Sequence, residues 1–127
     1  MKALREAVEA RDLQALEALL ADDIVFRSPA VHTPYEGKAV TMHILANVIE
    51  VFENFRYVTE VGTSESADAA LVFEAEVNGK QVTGCDIVHV GPDGLIDDFM
   101  VMVRPLSGLS ALASAMGARL RTPDATR

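Results

Sequence analysis

Asp86 is the side chain best suited to chemistry. It lies in the run KQVTGCDIVHVGPDGLIDDFMVMVR, residues 80–104. Two segments rich in Val, Ile and Phe flank Gly91-Pro92-Asp93-Gly94, and these are residues that turns need. The pattern predicts a β-hairpin with strands near 80–90 and 95–104. Alternation puts Val82, Gly84, Asp86, Val88 and Val90 on one face, and Thr83, Cys85, Ile87 and His89 on the other. With the valine face inward, Asp86 is a lone acid among Val82, Val88, Phe99 and Val101. Burial there disfavours its charged form and raises its pKa. A neutral carboxylic acid can donate to a developing oxyanion, and an ionised one can take a proton. The alternative is a structural acid paired with Arg27 or a backbone donor.

Other candidates are fewer and weaker. His32 and Tyr35 lie in PAVHTPYEG, residues 29–37. At a pocket mouth, a neutral His32 would act with Asp86 as a base or orienting partner. The alternative is an exposed loop histidine. Tyr35 would donate a phenolic hydrogen bond there or pack over the loop. His43 falls on a predicted helix, where packing is the plainer role, and His89 alternates away from Asp86. The histidines and Cys85 lack ligand spacing, so no metal is expected. Ser28 has no His-Asp arrangement beside it, which weakens it as a nucleophile.

The elements that must position these residues follow from periodicity. Leu4, Val8, Leu13, Leu16, Leu19 and Leu20 recur at helical spacing, broken at Arg11-Asp12. Asp12 suits an N-cap, so two short helices are expected near 2–10 and 13–20. IVFRS, 24–28, reads as a strand stopped by Pro29. Residues 38–53 form the longest helix, with Val40, Ile44, Leu45, Val48, Ile49 and Phe52 as its apolar stripe. Residues 55–63 alternate as a strand, with Phe55, Tyr57, Thr59, Val61 and Thr63 on one face. Residues 69–77 form the next strand, and Asn78-Gly79 joins it to the hairpin. The apolar segment 106–120 reads as a C-terminal helix, and 121–127 as a disordered tail. The order of helices and then a meander of strands gives an α+β domain over 1–120.

Composition narrows the partners. Of 127 residues, 50% are hydrophobic, enough for a sizeable core. The net charge of −8 disfavours nucleic acid and anionic membranes, whose binding needs clustered Lys and Arg. One cysteine allows no intramolecular disulfide. No stretch approaches the ~18 apolar residues of a membrane span, and MKALREAVEA lacks the apolar core of a signal peptide. A cytoplasmic protein is expected.

The segments RDLQALEALLADDIVFRSP, YEGKAVTMHI and VNGKQVTGCDIVHVGPDGLIDDFMVMVR, in that order and spacing, resemble the nuclear transport factor 2-like superfamily. Within it they are most similar to the SnoaL-like and ketosteroid-isomerase-like branch. The resemblance implies a cone-shaped curved antiparallel sheet wrapped around a long helix, with a mouth opening into an apolar pocket. It places Asp86 inside that pocket, as the isomerases place an acid at this distance from the turn glycine, here Gly94. It also implies no cofactor. The other isomerase positions differ: the base stands before a proline after the first strand, where this chain has Ser28, and the oxyanion tyrosine lies on the first helix, near Leu4 here. Epoxide-hydrolase-like members carry an arginine where Gly84 stands.

The expected function is therefore binding of a small, largely hydrophobic molecule, with cofactor-free acid/base catalysis by Asp86 and His32. The alternative is a non-catalytic binding or interaction module. The expected pocket lining is Phe26, Ser28, Tyr35, His43, Leu71, Phe73, Val82, Val88, Phe99, Val101 and Val103. A homodimer is expected through the opposite face, with Cys85, Ile87, Met100 and Met102, because both faces of the hairpin are apolar. Coverage of that face by 106–120 is the alternative.

Overall fold

The computed structural model describes residues 1–63 and 65–121. Helix α1 spans Lys2–Glu9 and α2 spans Leu13–Ala18. Asp12 caps α2 as expected, its carboxylate accepting from the Ala15 N–H at 3.1 Å. Strand β1 covers Leu20–Arg27, β2 the short Tyr35–Glu36, and α3 Lys38–Val51. Strands β3 (Glu53–Val61), β4 (Asp68–Val77), β5 (Lys80–Val90) and β6 (Ile96–Arg104) follow, and α4 (Leu106–Arg121) closes the chain. The expected tail, 121–127, lies outside the described residues beyond Arg121.

The strands make one curved, open sheet in the order β2-β1-β6-β5-β4-β3. The meander β3 to β6 is antiparallel, as its short turns require. β1 departs from expectation because it runs parallel to β6. Most of the chain separates these two strands, so no tight turn imposes their direction. β1 also begins four residues early. Leu20 pairs with Ile96, whose N–H bonds to the Leu19 carbonyl at 2.8 Å. This sheet pairing overrides the helical pattern of LQALEALL at its last residues.

The core fills the concave side. Leu4, Leu16, Leu20, Ile24, Leu71, Val88, Ile96 and Phe99 are fully buried between α1, α2, α3 and the sheet. Burying each such side chain stabilises the fold by about 1.5–3 kcal/mol. A second cluster, with Phe52, Phe73, Val77, Val82 and Leu112, lies under α4. Gly108 lets α4 approach β5, since a Cβ there would meet Val82 Cγ1 at 2.5 Å. α4 therefore packs on the concave side, and among the described residues nothing covers the outer face of Cys85, Ile87, Met100 and Met102. Segment 106–120 is not the cover of that face.

One strand breaks its expected alternation. A bulge between Tyr57 and Thr59 turns Thr59 and Val61 to solvent. It carries Glu60 toward α1, where the carboxylate pairs with the Met1 amino group and with Arg5 at 3.3 Å. Thr59 and Val61 therefore leave the face shared by Phe55 and Tyr57.

Candidate active site

Asp86 sits mid-strand on β5, opposite Leu71 of β4 and Val101 of β6, and is 6% exposed. It pairs with neither expected partner. Arg27 forms a forked contact with Asp98 instead, at 3.0 and 3.2 Å. The partner of Asp86 is Tyr57, whose hydroxyl donates to Oδ2 at 2.6 Å. One strand, β4, separates these residues, and the length of the tyrosine ring spans the gap. The ring stands edge-on to Phe55 at 5.0 Å and to Phe73 at 6.3 Å. Its backbone N–H donates to Glu9 of α1 at 3.1 Å.

Gly84 is part of this geometry. A Cβ at Gly84 would lie 2.0 Å from Cζ of Phe73. The missing side chain admits the Phe73 ring across β5, and Phe73 stacks on Phe55 at 4.8 Å. The arginine that epoxide-hydrolase-like proteins carry at this place would displace that wall.

The pair faces a cavity of about 510 Å³, within the size range of small-molecule sites. Burial pushes the Asp86 carboxyl up from 3.8 to about 7, and the Tyr57 hydrogen bond offsets only part of that rise. Burial, and then the charge of Asp86, raise the Tyr57 phenol. Asp86 therefore exchanges its proton near neutral pH, and Tyr57 stays a neutral donor. No buried side-chain nitrogen or oxygen among the described residues lacks a hydrogen-bond partner.

Of the residues expected in the pocket, Phe26, Ser28, Tyr35, Phe73, Phe99 and Val101 line this cavity with Asp86. Leu71 and Val88 do not, because they are sealed in the core between sheet and helices. Val82 lies under α4, and Val103 packs beside it in the same cluster. His32 is exposed and outside the lining, whereas Ala30 and Val31 of the same loop, also exposed, border the cavity. His32 does not join Asp86. His43 is also exposed, because its helix buries Thr41, Ile44 and Leu45 on the other side. The sequence reading missed Tyr57, although it placed Tyr57 on the face of Phe55. It also missed Glu9 and Arg11 at the rim, and the α4 residues Leu112 and Met116. Among the described residues, no three His, Cys, Asp or Glu side chains are grouped as a metal would need. No described helix is long and apolar enough to cross a membrane.

The model of the SnoaL-like domain matches residues 1–99. In crystal structures, a steroid delta-isomerase from Pseudomonas aeruginosa is 43% identical over 91% of this chain and 84% of that chain, with a TM-score of 0.86. A Silicibacter pomeroyi protein with a cystatin-like fold is 34% identical over 96% of this chain and 85% of its own, with a TM-score of 0.90. An NTF2-like protein from Cytophaga hutchinsonii shares the fold at 21% identity, covering 82% of this chain and 86% of its own, with a TM-score of 0.62. None of the curated proteins compared matches. With an α+β fold, an open curved sheet and a match over most of its length, the chain belongs to the SnoaL-like domain family of the NTF2-like superfamily.

Proposed function

We propose that the protein binds a small, largely hydrophobic ketone and shifts a proton within it, as an isomerase without a cofactor. The Tyr57–Asp86 hydrogen bond of 2.6 Å at a mostly apolar cavity carries this reading. The likeness to a steroid delta-isomerase supports it. In its ionised form, Asp86 takes a proton from the carbon beside the carbonyl. The electron pair of the broken C–H bond moves into the C–C bond, and the carbonyl oxygen gains the charge. Tyr57, no longer facing a carboxylate anion, turns its hydroxyl to that oxygen. In a β,γ-unsaturated ketone, Asp86 then returns the proton to the γ-carbon, the double bond moves to the α,β position and the carbonyl re-forms. An acid whose pKa lies near 7 suits both steps.

The test is isomerisation of a β,γ-unsaturated ketosteroid, read by ultraviolet absorbance of the conjugated product, with deuterium uptake at the reacting carbons read by NMR. Asp86→Asn is expected to lose at least a hundredfold in both, the scale of general acid–base catalysis. Unchanged uptake in that variant would remove Asp86 from the chemistry. Ser28 favours a second reading, a non-catalytic binder, because no carboxylate stands before Pro29. That reading expects bound ligand and no uptake.

The same proposal has two copies meet through Cys85, Ile87, Met100 and Met102. Met102 is 49% exposed, and α4 packs on the other side of the sheet. Light scattering that shows a monomer at micromolar concentration would end it.

A further inference from the structure

Arg11 lines the same cavity as Asp86 but lies at its exposed end. It stands between α1 and α2 with φ of 56°, a left-handed conformation that Gly or Asn takes at lower cost. A residue with a long side chain in that conformation marks the position for a closer look at what the side chain does. The guanidinium reaches α3, where one N–H donates to the Ile49 carbonyl at 3.1 Å. That bond holds the fork in place and leaves most of its five donors unused.

Place and charge together set Arg11 apart. Arg5, Arg27, Arg56, Arg119 and Lys38 each pair with a carboxylate. Among the described residues Arg11 has no carboxylate within 4.0 Å, in a chain of net charge −8. Lys2, Lys80 and Arg104 also lack a carboxylate within 4.0 Å, but of the described Lys and Arg side chains only Arg11 lines the cavity. Glu9 lines the same rim, yet its carboxylate accepts from the Tyr57 backbone N–H. We infer that Arg11 holds a carboxylate at the outer end of the ligand. The ligand class is then an elongated apolar molecule with a carbonyl at the Asp86 end and a carboxylate at the Arg11 end. A planar fork with free N–H groups suits a carboxylate, which it can bind through two parallel hydrogen bonds. This inference rests on the proposed function, because it assumes that the cavity holds the ligand.

Calorimetric titration with oxoetienic acid tests it. This steroid carries a ring ketone at one end and a carboxylate at the other, and its methyl ester is the control. Wild type is expected to bind the acid about tenfold tighter than the ester, the scale of a charged hydrogen bond near solvent. Arg11→Gln is expected to erase that preference and leave ester binding within about twofold, while Arg11→Lys keeps part of the preference because it keeps the charge. Equal binding of acid and ester by wild type would overturn the assignment of Arg11 alone. So would equal weakening of both ligands in Arg11→Gln. Binding of neither ligand by wild type would overturn the inference and the reading beneath it.

Discussion

Strand β5 carries one member of each of two hydrogen-bonded pairs, Asp86 and His89, three residues apart and on opposite faces of the sheet. Inside, Tyr57 donates to Asp86 at 2.6 Å; outside, Nδ1 of His89 meets Asp97 at 2.7 Å. The distances are nearly equal. The surroundings differ: Asp86 is 6% exposed, while the side chains of His89 and Asp97 are 43% and 38% exposed. Without water, burial dominates and carries the acid up to about 7. With water, the hydrogen bond to Asp97 dominates and raises the His89 imidazole, with Asp68 and Asp98 adding to it. Solvent access, rather than hydrogen-bond length, separates a proton-exchanging group from a solvated pair. Odd spacing along one strand is enough to place the two in different solvents.

The largest test of this contrast is the pH dependence of stability. Folded Asp86 keeps its proton to about 7, whereas the unfolded chain releases it near 3.8. Between those values the folded state binds more protons, so stability falls as pH rises and levels off above about 7. The swing is about 4 kcal/mol at this site. Asp86→Asn removes it. Urea unfolding from pH 4 to 8 should show wild type losing about that much relative to the variant. Parallel curves would mean that Asp86 is as wet as Asp97. Tyr57→Phe moves the midpoint the other way from a wetter site. It removes the one contact that lowers the Asp86 pKa, so the decline should extend above pH 7.

The contrast also shows what was legible in the sequence. The two faces of residues 80–90 could be assigned from alternation, because β5 pairs in register with β4 along its whole length. Asp86 was therefore visible as an inward acid. Its partner was not, because Tyr57 lies two strands away and reaches across Phe73, a contact that only the folded sheet creates. Loop and helix surface defeated the expectations for His32 and His43. Nothing in PAVHTPYEG says which side chains border the cavity, and the α3 stripe is wide enough that His43 sits at its edge. The bulge at Val58 left no mark in an alternating segment. The parallel pairing of β1 with β6 was equally hidden, since strand direction is a property of the pair and not of either segment.

The smallest effect belongs to the outer pair and completes the contrast. The His89 imidazole is raised above its ordinary 6.5, with the Asp97 hydrogen bond as the largest cause. A histidine raised on folding contributes stability that is fully present below its unfolded pKa. That stability is lost as pH rises through the folded value. The window thus opens near 6.5, about where the Asp86 decline ends. In NMR titrations of the imidazole, Asp97→Asn should lower the His89 pKa, because the Asp97 hydrogen bond is the largest cause of its rise. High salt should shrink the difference between wild type and variant, since these charges lie in water. The unfolding midpoint should scarcely move, as for most exposed pairs. A His89 titration unchanged by Asp97→Asn would mean that the wider acidic surface, and not the 2.7 Å contact, holds the proton.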